Sequence, residues 1–183
     1  QEPRTVYPGR GFMHEMGTGG GRGYSMNIPL PPGSGDGVYE EILEQIFAPL
    51  TEAFSPEIIL LVDGSDPHFS DRITRMGLTL SGIHMVGRRV RGAAEKACEG
   101  KVVDFIGSGY SADLRVVSMG WLASVAGLTG MAWEAEEPIP IPKREETVQD
   151  LEKAKEIIAR VKARFGPYWT CLENPLRWGN NRA

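Results

Sequence analysis

The 183-residue chain lacks several features that would mark a specialised class of protein. It has no apolar run of about 18 residues, so no membrane span is expected, and its polar start does not resemble a signal peptide. Its two cysteines, Cys98 and Cys171, form no C-x-x-C pair, which favours reduced thiols in a cytoplasmic protein. A net charge of −4 provides no basic surface of the kind that binds nucleic acids.

What remains is the pattern of an α/β protein. Continuous apolar runs predict two parallel strands, each buried on both faces, at 58–62 and 101–106. Amphipathic stretches predict helices that start at Asp36 and Thr79, and others over 112–128 and 147–165. The alternation of strand and helix predicts right-handed crossovers and helices on both faces of the sheet.

Three finer predictions concern the segments around these elements. Alternating side chains at 24–28 predict a short strand inside a long Gly- and Pro-rich loop. Pro49 should kink or shorten the first helix. The acidic, proline-rich residues 134–146 predict a linker or an extended surface strap. We therefore expect a body at 1–133, on which residues 134–183 pack, with Trp169 and Trp178 holding the tail.

Polar residues follow both predicted strands at the end where α/β sheets bind ligands. Asp66 lies in the segment after the first strand, and Tyr110 closes the Gly107–Tyr110 turn after the second. If the strands are neighbours, this carboxylate and this phenol meet at one edge, which suits a metal-assisted reaction with an oxyanion donor. The residues alone leave open that Asp66 is a turn former and that Gly107–Tyr110 is an ordinary tight turn.

Three motifs resemble class I histone deacetylases. Gly64-Ser65-Asp66 followed by Asp71-Arg72-Ile73 is similar to the family's G-S-D and D-R-L segment, which carries a metal ligand. The segment 23–36 is similar to G-Y-x-x-N-x-P-L-P-P-G-T-G-D, and Gly107–Tyr110 is similar to G-G-G-Y. The motifs occur in the family's order over residues 3 to 130, the second half of a family domain. The resemblance implies the arginase-deacetylase fold, with three layers and a mostly parallel sheet.

The resemblance also implies roles for individual residues. Asp66 would bind zinc together with one more Asp and a His, and Tyr110 would donate its hydroxyl to the oxyanion formed when water attacks an acyl-amide. His68, a weaker candidate for the metal, would serve behind the ligands or at the surface, and Asp71 would hold the ligand loop. The match also implies a structural potassium site that includes the backbone carbonyl of Tyr24. It further implies a substrate channel, formed by Tyr7, Pro8, Gly9, Ile73 and Gly109.

Other parts of the family's site have no counterpart in this sequence. The paired histidines that act as general base and acid, and the D-x-H segment with two zinc ligands, precede these motifs in the family. The interpretation is thus a zinc-dependent deacetylase that needs the N-terminal half of the fold, present as another chain or segment. Two alternatives stay open: an inactive fragment that serves as a binding subunit, and a deacetylase of small acetylated amines. Half a sheet would also favour association with another chain.

Overall fold

The structure, a computed structural model, describes residues 3–5, 7–134, 136–142 and 148–173. Within these ranges no helix combines the length and the apolar character needed to cross a bilayer. The main elements are α1 (Asp36–Ile42), a π-helical turn (Leu43–Phe47), α2 (Ala48–Phe54), β1 (Ile59–Gly64), α3 (Leu80–Cys98), β2 (Val102–Ser108), α4 (Leu114–Thr129) and α5 (Val148–Phe165). Short 3₁₀ turns lie at Pro3–Thr5, Gly19–Gly21 and Thr170–Leu172.

The two strands pair in parallel, which confirms the predicted α/β arrangement of strand, helix and strand. Ile59 pairs with Val102, and the register continues to Asp63 opposite Ile106. It then shifts by one residue, so that Gly64 pairs with Ser108. Such a bulge bends a strand and redirects the side chains that follow it. The shift therefore lies where both strands release the loops of the candidate site.

The prediction that both strands are buried on both faces was wrong for this chain. One face of the sheet packs under α4, where the Ser124 hydroxyl donates to Asp63. The side chains of the other face are 41 to 84 % exposed, namely Leu60, Val62, Val103 and Phe105. The apolar runs were identified correctly as strands, but in the described residues helices cover only one side of them.

Helices α3 and α4 pack together without side chains at their closest points. A Cβ on Gly87 would lie 2.6 Å from the Ser124 carbonyl oxygen, and one on Gly127 would lie 2.3 Å from that of His84. Backbone therefore contacts backbone, and β-carbons would force the helices apart. Thr79 caps α3 as predicted, because its hydroxyl accepts a hydrogen bond from the Gly82 amide at 3.0 Å.

The first helix differs from its prediction at both ends. Asp36 is not the N-cap, a position that Gly35 occupies. Its carboxylate instead accepts hydrogen bonds from the amide of Thr79 at 2.9 Å and from the hydroxyl of Thr79 at 2.6 Å, which joins α1 to the start of α3. The segment forms α1, the π-helical turn and α2 instead of one regular helix, and Pro49 lies in the first turn of α2, where a residue without an amide proton fits.

Helix α5 forms as predicted and buries its apolar stripe against α1. Ala154, Ile158, Val161 and Phe165 share one cluster with the buried side chains of α1. The strand predicted at 24–28 is absent, because these residues have no partner strand among those described; the Asn27 side-chain amide instead donates to the backbone carbonyls of Phe12 and Glu15. Trp169 donates to the Gly23 carbonyl at 2.8 Å; Trp178 lies outside the described residues.

The contact between α3 and α4 predicts opposite effects for two glycine substitutions. Gly127→Ala should lower the free energy of unfolding by about 1–3 kcal/mol, because the added methyl group overlaps the α3 backbone. Gly92→Ala, in α3 with open space around its Cβ position, should raise it by about 0.5–1 kcal/mol through helix propensity. Urea unfolding of both variants measures this, and a stable Gly127→Ala protein would contradict the close packing.

Candidate functional site

The carboxyl ends of β1 and β2 release two loops that stay bonded to each other. The Ser65 amide donates to the Ser108 carbonyl at 2.9 Å, and the Trp121 indole donates to the same oxygen at 2.8 Å. Gly109 follows with no room for a side chain, because a Cβ there would lie 2.2 Å from the Ser65 hydroxyl oxygen. The loops that carry Asp66 and Tyr110 thus leave one edge of the sheet side by side, as expected for neighbouring strands.

Asp66 is held from two directions. Its Oδ1 accepts a hydrogen bond from the Ser108 hydroxyl, and its backbone carbonyl accepts one from the Thr74 hydroxyl. Tyr39 of α1 lies nearby: burial raises the pKa of its phenol, and the charge of the Asp66 carboxylate raises that pKa further. An acidic side chain is therefore presented at the strand end in a defined orientation, next to a phenol that stays protonated.

Asp71 joins the two loops through backbone amides. Its Oδ1 accepts hydrogen bonds from the amides of Ile73 at 2.8 Å and Thr74 at 3.0 Å. Its Oδ2 accepts one from the amide of Tyr110 at 2.8 Å. The carboxylate is almost fully buried, so these three donors replace the water that it loses. Sequence predicted that Asp71 holds the ligand loop, and the structure adds that it also holds the tyrosine loop.

His68 is completely buried, so a surface role for it was wrong. Its Nδ1 lies 2.9 Å from the Ser70 hydroxyl and its Nε2 lies 3.0 Å from the carboxylate of Glu137. Both ring nitrogens are therefore occupied by protein groups, which does not favour a metal-ligand role. Sequence reasoning missed Glu137, because it lies in the proline-rich strap, 69 residues after the histidine.

The remaining predicted residues lie around this edge or away from it. Tyr110 is 54 % exposed, and Tyr7 and Ile73 are also exposed. Pro8 and Gly9 are exposed as well, but no hydrogen bond within the described ranges ties residues 7–9 to the strand-end loops. Tyr24 packs edge-on against Trp169, with ring centroids 5.2 Å apart, and lies in an aromatic cluster with Phe54.

A zinc site cannot be completed from this part of the chain. Nowhere in the described ranges do three or more His, Cys, Asp or Glu side chains converge. Asp66 fits the chemistry of one ligand, because it is a carboxylate held at a strand end, and tetrahedral zinc needs further ligands from elsewhere. Both cysteines are free thiols, with Cys98 buried.

Comparison with known proteins assigns the family. The family model described as histone deacetylase domain matches residues 1–128. The chain belongs to the histone deacetylase family. A "Probable deacetylase" of Archaeoglobus fulgidus is 38 % identical to it over 171 residues, and the acetoin utilization protein AcuC of Staphylococcus xylosus is 34 % identical over 127 residues. The solved HD domain of HDA15 superposes with a TM-score of 0.72 at 25 % sequence identity.

The family members that match are much longer than the matched segment. The chain covers 48 % of the Archaeoglobus protein and 33 % of the Staphylococcus protein, while 92 % and 69 % of this chain align with them. The match to HDA15 covers 94 % of this chain and 44 % of that structure. The chain thus spans about half the length of the Archaeoglobus relative and a smaller fraction of the other two proteins. Its fold is that of part of a histone deacetylase domain.

The bonds of Asp71 predict a large effect from a change of one atom. Asp71→Asn keeps the size of the side chain, but its amide nitrogen cannot accept a hydrogen bond from a backbone amide. We expect the free energy of unfolding to fall by about 1–3 kcal/mol, the cost of a buried donor without a partner. Urea unfolding tests this against Glu156→Gln, which changes an exposed carboxylate on α5. Equal stability of the two variants would contradict the proposed function of Asp71 as a joint between loops.

Proposed function

We propose that this chain provides one half of the active site of a zinc-dependent deacetylase, which hydrolyses an acyl-amide such as acetyl-lysine. The observation that carries the proposal is the pair of bonded loops at one edge of the sheet. Ser108, the last residue of β2, bonds to Asp66 of the first loop, and Asp71 of the first loop bonds to the amide of Tyr110 in the second loop. Membership of the histone deacetylase family supports it.

Each half of the proposed pair has a distinct task. Asp66 would be one ligand of zinc, and the other ligands and the general base would come from the rest of the domain. Zinc, when bound, supplies a Lewis acid to the amide carbonyl. The Tyr110 hydroxyl would donate a hydrogen bond to the oxygen of that carbonyl as negative charge develops on it, which favours the transition state over the substrate.

The proposed substrate channel combines exposed residues of this edge with the exposed residues 7–9 that the family resemblance assigns to it. Tyr7 and Ile73 present apolar surface to solvent, with Pro8 and Gly9 beside Tyr7 and Gly109 beside Tyr110. Apolar walls suit the methylene stem of an acylated amine, whereas the amide is the part that needs polar groups. The Tyr24 carbonyl remains the proposed contact for a structural potassium ion. A protein substrate and a small acetylated amine share this chemistry.

The bare sheet face, which is formed by Leu60, Val62, Val103 and Phe105, supports a proposal about the partner. All four of its exposed side chains are apolar, and both outer strand edges lack a partner among the described residues. Exposed apolar patches of this kind mark interaction surfaces. Because the matched relatives are about twice as long as this chain or longer, we propose that the face is covered by the other half of a deacetylase domain, whether covalently linked or separate.

The proposed oxyanion donor predicts a loss of rate in Tyr110→Phe. In the assembly of this chain with the N-terminal half of the domain, deacetylation of an acetyl-lysine peptide should fall about 10²–10³-fold, the usual effect of losing one oxyanion donor. Bound zinc, about one ion per assembly with one complete tetrahedral site, should not change. Tyr168→Phe is the control, because that phenol accepts a hydrogen bond from the Arg22 guanidinium at 2.9 Å and, among the described residues, bonds to neither strand-end loop.

Two outcomes would contradict this function. An assembly that binds no zinc and hydrolyses no acylated amine would favour the alternative, a binding subunit that keeps the fold. Full activity in Tyr110→Phe would instead remove the phenol from the reaction. A parallel assay with acetylated diamines distinguishes a small-molecule deacetylase from one that acts on peptides.

The bare sheet face predicts that a single charged side chain on it prevents association with the other half of the domain. Val62→Asp places a carboxylate at the most exposed position of the sheet face. Contact with a partner would bury this charge without an opposite charge or a hydrogen-bond donor, which is unfavourable. Co-expression with the N-terminal half of the Archaeoglobus relative should give a one-to-one complex for the unaltered chain and for Glu156→Gln, and none for Val62→Asp. A complex that forms equally with Val62→Asp would show that this face is not the interface.

A further inference from the structure

The proline-rich strap, of which the structure describes residues 134 and 136–142, bonds to the candidate site through Glu137. Glu137 extends one carboxylate oxygen to the Leu80 amide at 2.6 Å, at the start of α3. Its other oxygen lies 3.0 Å from Nε2 of the buried His68. The bond to Leu80 alone would hold the strap against the body of the protein. The second bond leads instead into the loop that carries Asp66.

The hydrogen-bond donors in this contact follow from one backbone amide. The Ser70 amide donates to Nδ1 of His68 at 3.2 Å, so Nδ1 is an acceptor and the ring proton is on Nε2. His68 therefore donates to Glu137. The Ser70 hydroxyl, 2.9 Å from Nδ1, then also donates to it, and the Ser111 hydroxyl donates to the Ser70 oxygen at 2.8 Å.

This series of hydrogen bonds, which starts at Glu137, ends beside Tyr110, the proposed catalytic residue. Ser111 follows Tyr110 in the chain, and its hydroxyl also accepts from the amide of Asp113, the N-cap of α4. The tyrosine loop is thus held at two adjacent residues, by Asp71 at the Tyr110 amide and by Ser70 at the Ser111 side chain. The Asp71 contact needs no strap residue, whereas the Ser70 contact is oriented by the imidazole that Glu137 fixes.

We propose that Glu137 is a positioning residue, which acts through His68 and Ser70 on the loop that carries Tyr110. Glu137 is then part of the catalytic apparatus through the residues that it holds, without a contact to the substrate of its own. The consequence for the reaction rests on the proposed function: a phenol that is held loosely loses its alignment with the developing oxyanion. The mechanical link between strap and loop is independent of it.

Glu137→Gln removes one of the two bonds with almost no change in shape. The new amide nitrogen must face either the Leu80 amide or the Nε2 proton, so a donor meets a donor, and in neither orientation does the side chain still tie the imidazole to the start of α3. Loss of a hydrogen bond to a charged group should speed hydrogen exchange of the Tyr110 amide about tenfold to a hundredfold. In the complete domain kcat should fall about tenfold with KM within twofold, because alignment affects the transition state and not substrate binding.

Two further variants separate positioning from general damage. Glu136→Gln changes the exposed neighbour and should leave both measurements unchanged. Ser70→Ala breaks the link at its other end and leaves the strap bonds intact, so it should reproduce the faster exchange at Tyr110. Exchange of the Ile158 amide, in α5, serves as reference, because global destabilisation would accelerate both amides together.

The outcomes distinguish this inference from the proposed function. Unchanged exchange at Tyr110 in Glu137→Gln and Ser70→Ala would overturn the inference, as would faster exchange with an unaltered kcat. Equal acceleration at Tyr110 and Ile158 would show a structural role only and would overturn it too. If the complete unaltered domain proves inactive while Tyr110 exchange responds, the deacetylase proposal fails and the link from strap to loop stands.

Discussion

The candidate site depends on the carboxylate of Asp71 more than on any other single group. The last paired residues of β1 and β2 are Gly64 and Ser108, and beyond the bond from the Ser65 amide to Ser108 the two loops leave their strands. Asp71 crosses that gap and bonds to amides in both loops. A buried charge is stable only with such donors, so the carboxylate and the two loops fix each other. A hydrophobic residue of similar size could fill the space but could not set the direction of the Tyr110 backbone.

The sheet has an unusual distribution of polarity, which agrees with half a domain. The face under α4 carries two carboxylates, Asp63 and Asp104, and burial together with the charge of Asp63 raises the pKa of Asp104. The face without helices carries only apolar side chains at its exposed positions. A protein that folds and acts alone avoids the second arrangement, because uncovered apolar surface and free strand edges favour association. Within the described residues, the exposed apolar face therefore supports the proposed association with the rest of a deacetylase domain.

Local patterns predicted the elements, and contacts distant in sequence decided the rest. The two strands, the Thr79 cap and α5 follow from runs and periodicities within a few residues. Asp36 looked like an N-cap because its neighbours fit one, but its carboxylate bonds to Thr79, 43 residues later. The pairing of His68 with Glu137 likewise has no local signal. The roles of Asp66 and Tyr110 came from the family resemblance, and what the residues alone supplied was their common edge.

Ser108 shows how a departure from the family pattern is accommodated. The resemblance places glycine at this position, where the hydroxyl here bonds to Oδ1 of Asp66. The extra atoms fit because Gly64 lies opposite, where a Cβ would lie 2.0 Å from the Ser108 hydroxyl oxygen. Oδ2 accepts no hydrogen bond from a described residue, which leaves it open for the proposed ligand role. A hydroxyl that bonds to the carboxylate in this way fixes its orientation, as neighbouring groups commonly do for metal ligands.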